Sequence, residues 1–277
     1  MTNEHRWLPV PGGTLHIKVE GDGPPILLIH AGIADLRAWD ALVPLLVDAG
    51  YQAVRYDTRG YGQSRAEDLE YSNRADLRAV LDELAIGRAA FVGNSRGAMI
   101  ALDTLLESPD RCVAFAWVGG GIGGFDGRTT DEEKAVFEAA DALEESGEDP
   151  GALADLEVRI WVDGIGQPAG RAPAWIRDKV REMDLPLLQP DRVTGRPVPL
   201  DPPSANERLG DIRVPVLAVV GALDVTDTRD ASERLAAAVP GARHVVIPDV
   251  AHMVGMEAPE RLAELILELV RPLGTWG

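Results

Sequence analysis

The chain has 277 residues, of which 45% are hydrophobic and 26% are charged, and its formal net charge is −18. This composition is typical of a folded protein with one large core, while so acidic a surface disfavours nucleic acids and anionic membranes as partners. A single cysteine, Cys112, excludes an intrachain disulfide and a cysteine-based metal cage. No apolar run nears the roughly 18 residues of a transmembrane helix, and no signal peptide is recognisable, so we expect a cytoplasmic protein.

The first half of the chain alternates between strand-like and helical segments. Residues 6–10 and 14–21 lie on either side of a Pro-Gly-Gly turn and predict a hairpin. Short apolar runs predict three strands that are covered on both faces, at 26–30, 51–57 and 89–94. A segment with helical spacing follows each strand, at 37–50, 72–86 and 96–109, and Ser72 is the predicted N-cap of the second helix. This alternation predicts an α/β fold with a mostly parallel sheet and helices on both faces.

The periodicity changes after a further predicted strand at 112–120. Residues 123–205 contain acidic stretches with helical spacing, such as 130–147, and then a proline-rich run. Because this segment lacks strand-like runs, we expect a small helical cap inserted over the carboxyl edge of the sheet. Alternation then resumes, with strands at 214–224 and 242–252 and helices near 229–239 and 257–271. The predicted domains are an α/β core, 1–122 and 206–277, and a cap, 123–205.

The strongest local motif is G-x-S-x-G at 93–97, between a predicted strand and a predicted helix. A sharp strand-to-helix turn raises the hydroxyl of its serine, Ser95, above the sheet edge and strains the backbone. Glycines flank the serine because side chains there would clash in so tight a turn. The helix N-terminus offers unpaired N–H groups where an oxyanion can form. We therefore predict Ser95 as a nucleophile, the alternative being a simple N-cap.

A serine hydroxyl needs a base with a pKa near 7, and histidine supplies one. His5 and His16 fall in the N-terminal hairpin, and His244 lies inside a strand. His30 ends a strand early in the chain and is expected to be structural. His252 follows a strand and precedes a helix, which places it where loops converge at the carboxyl edge of the sheet. His252 is therefore the predicted base.

The acid of such a site is expected after another strand and before the histidine in the chain. Asp224 directly follows an apolar strand and is the predicted acid. Its carboxylate would orient the imidazole and stabilise the imidazolium. Asp227 and Asp230 are close rivals, and either one is also suited to cap the following helix.

An oxyanion hole needs two N–H donors. The residue after the nucleophile, Arg96, is predicted to supply one, and the loop after the third strand is predicted to supply the other. That loop contains Gly32 and Ile33, and the sequence leaves open which amide donates.

The order of five segments resembles the α/β-hydrolase superfamily along nearly the whole chain: HAGIADLRAW (30–39), DTRGYGQS (57–64), GNSRGA (93–98), GALD (221–224) and AH (251–252). The resemblance implies structural roles for Asp57, Arg59 and Gly60. The sharp turn around Ser95 corresponds to the nucleophile elbow of this superfamily. Serine there differs from the aspartate of the haloalkane dehalogenase and epoxide hydrolase branches. Ala31, which follows His30, differs from the glycine of the His-Gly pair that is usual in the family. The GNS sequence is similar to the elbow of carbon–carbon hydrolases, whose oxyanion loop is longer and richer in Gly and Ser.

These residues predict a serine hydrolase, carboxylesterase-like or lactonase-like, that cleaves an ester or other acyl bond of a small molecule without a metal or organic cofactor. The same triad also serves carbon–carbon bond hydrolysis, hydroxynitrile lyase and perhydrolase chemistry. A ligand-binding relative without catalysis is a further alternative, because fold alone does not decide function. The acyl length and the oligomeric state stay open.

The predicted cap and its surroundings contain two further groups of candidate residues. Four aromatic side chains either line a substrate pocket or anchor the cap to the core: Phe125, Phe137, Trp161 and Trp175. Three arginines are candidates to bind a substrate carboxylate, namely Arg96, Arg171 and Arg177. Solvated surface positions are the more typical state of the last two.

Overall fold

A computed structural model describes residues 3–276 of the protein. A large mixed sheet occupies the centre of this region, with a separate two-stranded sheet outside it. The strands, in chain order, are β1 (Asn3–Val10), β2 (Gly13–Glu20), β3 (Pro25–Ile29), β4 (Gln52–Tyr56), β5 (Arg65–Ala66), β6 (Glu70–Tyr71), β7 (Ala89–Asn94), β8 (Cys112–Val118), β9 (Arg196–Pro197), β10 (Val216–Gly221) and β11 (Arg243–Ile247).

Helices surround the sheet and fill the long connection between β8 and β10. The α-helices are α1 (Val43–Asp48), α2 (Asn73–Glu83), α3 (Arg96–Glu107), α4 (Asp131–Ser146), α5 (Pro150–Val158), α6 (Ala174–Asp184), α7 (Ala205–Arg208), α8 (Thr226–Ala238), α9 (Val254–Glu257) and α10 (Pro259–Val270). A π-helical turn, Arg159–Asp163, follows α5 directly. Short 3₁₀ turns cover Leu36–Trp39, Pro109–Arg111, Leu185–Leu188, Leu209–Asp211 and Arg271–Leu273. Between residues 3 and 276, no helix is both long enough and apolar enough to cross a bilayer.

The parallel part of the sheet has the strand order β4-β3-β7-β8-β10-β11. The antiparallel β1–β2 hairpin extends it at the β4 edge, which confirms the predicted hairpin and the mostly parallel sheet. After β3, the next parallel strand in the chain, β4, lies on one side of β3, and the following parallel strands, from β7 onward, lie on its other side. The connections that leave β3 and β7 therefore run in opposite directions, and in open α/β sheets such a switch point opens a crevice at the carboxyl ends of the strands.

Alternate residues of the central strands face two separate apolar cores. In β3, Leu27 and Ile29 belong to a core that includes side chains of α2, α3 and α8. Ile26 and Leu28 belong to a core that includes side chains of α1 and α10. Helices thus cover both faces of the sheet, as continuous apolar strands predict. Cys112 is buried in the first of these cores, and burial raises the pKa of its thiol to about 12.

The sequence prediction was wrong about the helix at 37–50 in one respect. The structure divides this segment into a 3₁₀ turn, Leu36–Trp39, and the short helix α1. Pro44 lies in the first turn of α1, where its missing N–H costs nothing, and proline disfavours helical backbone in the residue before it. A helix can therefore begin next to Pro44 but cannot run through it. The predicted cap at Ser72 is confirmed, because its hydroxyl accepts a hydrogen bond from the Ala75 N–H.

The segment between β8 and β10 is mainly helical, although the two-residue strand β9 pairs with β6. Its helices α5 and α6 enclose a third apolar cluster that also contains residues of the core. Val158, Ile176 and Met183 pack there with Ala31, from the loop after β3, and with Met253. This cluster places α5 and α6 beside the carboxyl edge of the sheet.

Two carboxyl groups meet inside this helical segment, Glu157 on α5 and Asp184 on α6. Asp184 is 1% exposed, and burial together with the charge of Glu157 raises the pKa of its carboxyl to about 9. One oxygen of each group is buried without any other hydrogen-bond partner within residues 3–276. A proton shared by the two carboxyls satisfies both oxygens and keeps the pair from carrying two negative charges.

We expect Asp184→Asn to raise the thermal stability at pH 8 more than at pH 5. The folded-state pKa of about 9 lies above the unfolded value near 3.8, so the wild-type stabilisation from the bound proton is lost as pH rises between these values. An asparagine amide keeps a donor towards Glu157 without that loss. Melting temperatures across this range test the prediction, and a difference of a few degrees corresponds to about 1 kcal/mol. Asp178→Asn, an exposed position on α6, is the control, and a pH-independent difference would contradict the shared proton.

Candidate active site

Ser95 lies in the sharp turn between β7 and α3. Its backbone has φ 56° and ψ −121°, a conformation that costs a non-glycine residue roughly 1–3 kcal/mol. A Cβ at Gly93 would lie 2.3 Å from the Gly97 carbonyl oxygen, and one at Gly97 would lie 2.1 Å from the Ile29 carbonyl oxygen. Both glycines are therefore required by close backbone approach, and the turn has the geometry expected of a nucleophile elbow.

His252 and Asp224 form a buried pair at the same edge of the sheet. The Nδ1–H of His252 lies 2.9 Å from each oxygen of the Asp224 carboxylate, and the two side chains are 5% and 0% exposed. We assign the proton to Nδ1 because a carboxylate can only accept there. This tautomer leaves Nε2 of His252 with a free lone pair, which is the state that a general base requires.

Asn94 and Gly119 connect this pair to the elbow, and neither was identified from the sequence. The Asn94 amide donates to the Val118 carbonyl at 3.1 Å and to the His252 carbonyl at 3.2 Å. Gly119 has φ 52°, and a Cβ there would lie 3.1 Å from Oδ2 of Asp224. The glycines that directly follow β8 were the available sequence signal for this close approach. The role of Asn94 in holding the His252 backbone also accounts for the asparagine of the GNS sequence.

The Ser95 side chain is half-buried and makes no hydrogen bond to any residue between 3 and 276. The structure therefore brings His252 and Asp224 into contact but does not join Ser95 to His252. Catalytic hydrogen bonds of this kind are often long without substrate and tighten when it binds. The free hydroxyl is thus available to a ligand that enters above the elbow.

The three amides predicted for an oxyanion hole lie on adjoining segments. Arg96 begins α3, while Gly32 and Ile33 form a turn after β3, and a Cβ at Gly32 would lie 3.7 Å from Cβ of Arg96. None of the three N–H groups donates to an acceptor within the described residues. All three are free donors, so the structure keeps both Gly32 and Ile33 as candidates for the second position.

The rival aspartates serve a different purpose. Asp227 accepts a hydrogen bond from the Gly127 N–H at 2.5 Å, and Asp230 forms an ion pair with Arg128 at 2.6 Å. Hydrogen bonding from Arg128 lowers the pKa of Asp230 to about 2. Both carboxylates therefore hold the start of the segment after β8 and do not contact His252.

His30 makes contacts typical of a structural histidine. Its Nδ1–H donates to the Ala31 carbonyl at 2.8 Å, and its Nε2 accepts from the Thr58 N–H at 2.9 Å. Burial lowers the pKa of His30, which keeps the imidazole neutral. His16 is also buried and lies 2.8 Å from the Asp57 carboxylate.

Among the aromatic candidates, Trp161 lies against the site. Its ring centroid is 4.6 Å from that of His252 and 6.0 Å from that of Phe137, and its carbonyl accepts the His252 N–H at 3.2 Å. Phe125 packs against the core, whereas Trp175 is 56% exposed. Trp161 therefore holds the backbone of His252 and packs beside its imidazole ring.

Arg171 and Arg177, in the segment between β8 and β10, bind other groups of the protein. Arg171 donates to the Asp249 carbonyl at 2.6 Å and pairs with the Glu257 carboxylate, and Arg177 pairs with Asp163 at 3.2 Å. These contacts make them less suited to bind a substrate carboxylate than Arg96, which has no acidic partner within the described residues.

The parallel sheet, the strained turn at Ser95 and the buried His252–Asp224 pair are together the features expected of an α/β hydrolase. A sequence model of the alpha/beta hydrolase family matches residues 26–265. The chain belongs to the alpha/beta hydrolase family.

Several known proteins are similar to this chain. The rhodomycin D methylesterase DnrP of Streptomyces peucetius is 28% identical over 272 residues, which cover 87% of this chain and 89% of that protein. Epoxide hydrolase A of Mycobacterium tuberculosis is 34% identical over 118 residues, covering 40% of this chain and 37% of that protein. The solved structure of the enol-lactonase from Burkholderia xenovorans LB400 has a TM-score of 0.76 at 25% identity, covering 96% of this chain and 100% of that one. A thermophilic esterase from Thermogutta terrifontis, at 23% identity, has a TM-score of 0.75, covering 98% and 100%.

Proposed function

We propose that the protein is a serine hydrolase that cleaves an ester bond of a small molecule through an acyl-enzyme on Ser95. The observation that carries this proposal is the buried His252–Asp224 pair, with the amide of Asn94, the residue before Ser95, donating to the His252 carbonyl. The similarity to a methylesterase along most of the chain and to a lactonase structure supports acyl chemistry. Lactones, as cyclic esters, fall within the same proposal.

In the acylation step, Oγ of Ser95 attacks the carbonyl carbon of the ester while Nε2 of His252 accepts its proton. Asp224 stabilises the imidazolium through Nδ1–H and does not itself take the proton. The negative charge that forms on the carbonyl oxygen is stabilised by the Arg96 N–H and by the N–H of Gly32 or Ile33. The imidazolium then protonates the leaving alcohol as the C–O bond breaks.

Deacylation repeats these steps with water. His252 accepts a proton from water, whose oxygen attacks the acyl carbon, and the same amides stabilise the second oxyanion. Collapse of this intermediate returns the proton to Oγ of Ser95 and releases the carboxylic acid. The hydrogen bond to the buried Asp224 carboxylate keeps a proton on Nδ1 of His252 in both steps, so that only Nε2 gains and loses a proton.

We also propose that residues 123–205 act as a cap on an α/β core formed by 1–122 and 206–277. The contact of Trp161 with His252 and the apolar cluster around Met183 and Met253 support this division. The acidic surface supports a small-molecule substrate in preference to nucleic acid, and we place the reaction in the cytoplasm.

Two assays test the proposal. One measures hydrolysis of a series of 4-nitrophenyl esters, from acetate to decanoate, and the other measures fluorophosphonate labelling by intact mass. We expect turnover and a single adduct that peptide mapping places on Ser95, and the rate profile then gives the preferred acyl length. An adduct without turnover would redirect the search to carbon–carbon substrates or cyanohydrins, which the same residues can serve. Absence of both turnover and adduct would overturn the proposal and favour a ligand-binding role.

A further inference from the structure

The side chain of Arg96 borders the proposed active site. Arg96 follows Ser95 directly, begins α3 and is half-buried. A Cβ at Gly32 would lie 3.7 Å from Cβ and 3.8 Å from Cδ of Arg96, so the aliphatic part of the arginine runs along the loop after β3. A substrate whose carbonyl oxygen meets the amides of this loop therefore lies close to the arginine side chain.

The guanidinium of Arg96 has only neutral partners within residues 3–276. It donates to Oγ1 of Thr58 at 2.7 Å and to Oδ1 of Asn73 at 3.2 Å, and it lies 4.7 Å from the ring centroid of Tyr61. These two hydrogen bonds use only part of its N–H donors. The nearby carboxyl of Asp76 is bound at both oxygens by Arg59. Burial raises the pKa of Asp76, and the charges of Arg59 and Arg96 partly oppose this effect.

A second cation lies at the same aromatic ring. The guanidinium of Arg192 is 4.5 Å from the Tyr61 ring centroid, and its hydrogen bonds go to backbone carbonyls of Gly60 and Leu187. It too forms no ion pair with a carboxylate in the part of the chain that the structure describes. Two guanidinium groups that form no ion pair within the described residues thus lie at the Tyr61 ring, and Arg96 is the one that follows Ser95 in the chain.

Within residues 3–276, the absence of an ion pair distinguishes Arg96 from the most deeply buried arginines, while the half-buried Arg208 and Arg234 also have neutral partners only. The chain has 45 acidic and 27 basic residues, so carboxylates are abundant. Its more deeply buried arginines all have acidic partners: Arg55 with Glu20 and Asp40, Arg59 with Asp76, and Arg74 with Glu107. A half-buried guanidinium that keeps free donors beside a nucleophile is suited to an anion that arrives with the substrate.

We propose that Arg96 is a specificity-determining residue that binds a carboxylate on the acid or the alcohol part of the ester substrate. The inference rests on the proposed function and narrows its substrates to anionic esters. The guanidinium offers charge-assisted hydrogen bonds to the carboxylate, and Tyr61 and Thr58 fix its position. The local positive charge offsets the repulsion that an anionic substrate experiences from a protein of net charge −18.

Two matched pairs of esters test the proposal. Mono(4-nitrophenyl) adipate and 4-nitrophenyl hexanoate differ by a carboxylate on the acyl side, and 4-acetoxybenzoate and 4-acetoxybenzamide differ on the leaving-group side. The readout is the ratio of kcat/KM for the anionic and neutral members of each pair. We expect the wild type to favour the anionic ester of at least one pair and Arg96→Met to lower that ratio about 10- to 100-fold.

Two further variants serve as comparisons. Arg96→Lys retains the charge without the planar fork and is expected to retain part of the ratio. Arg243→Met removes an equal charge from an exposed position on β11, where the arginine pairs with Glu268, and is expected to leave the ratio unchanged. An effect of the same size in Arg243→Met would assign the preference to the net charge and overturn the role of Arg96.

Ester hydrolysis, Ser95 labelling and adipate binding together distinguish failure of this inference from failure of the proposed function. If neutral esters are hydrolysed and Arg96→Met leaves every ratio unchanged, the carboxylate inference falls and the proposed function stands. If no ester is hydrolysed and Ser95 is not labelled, the proposed function falls. In that case an adipate-dependent rise in melting temperature, present in the wild type and lost in Arg96→Met, supports an anion site, and no rise overturns it.

Discussion

Ser95→Ala is expected to lower kcat for 4-nitrophenyl esters by about 10⁴- to 10⁶-fold and to abolish the fluorophosphonate adduct. The proposed reaction passes through a bond to Oγ of Ser95, and alanine has no atom that can form it. Any remaining rate would come from the free amides after β3 and at the start of α3, which still stabilise an oxyanion. Initial rates and intact mass measure both effects.

Ser95→Gly provides a second readout that depends on the backbone alone. The residue has φ 56°, which glycine adopts without the steric cost that a Cβ imposes. We therefore expect Ser95→Gly to be inactive but to melt at a higher temperature than Ser95→Ala. Activity retained in either variant would show that another residue is the nucleophile. Equal melting temperatures would contradict a strained elbow.

Asp224→Asn is expected to lower kcat by roughly 10³- to 10⁴-fold with little change in the fold. The asparagine amide would donate to Nδ1 of His252, so the imidazole proton would move to Nε2. Nε2, the proposed base nitrogen, would then lack the lone pair needed to accept the serine proton. The rate of fluorophosphonate labelling should fall with kcat, because both depend on activation of the same hydroxyl.

Asp227→Asn is the matched control for this prediction. It makes the same change three positions along the chain, at a carboxylate that accepts from the Gly127 N–H and does not contact His252. We expect kcat to stay within a few-fold of the wild type. A large loss in Asp227→Asn together with an active Asp224→Asn would transfer the role of the acid to Asp227.

Local patterns in the sequence were sufficient to predict most of the elements. Apolar runs such as 89–94 gave the buried strand β7 with the same bounds, because a strand covered on both faces is apolar at every position. The cap of α2 at Ser72 depends on neighbours three residues away. The prediction of one helix over 37–50 was wrong because helical spacing alone ignores the backbone restriction at Pro44, which is also a local feature.

The sequence by itself determined the parallel sheet, the elbow around Ser95 and the set of candidate bases and acids, since each depends on spacing within a few residues. Only the tertiary structure decided which aspartate meets His252, because Asp224, Asp227 and Asp230 share one loop and helix start and differ only in what faces them. The same holds for Asn94, whose amide reaches a carbonyl 158 residues away, and for the neutral surroundings of Arg96. These contacts join segments that are distant in the chain, and no local pattern encodes them.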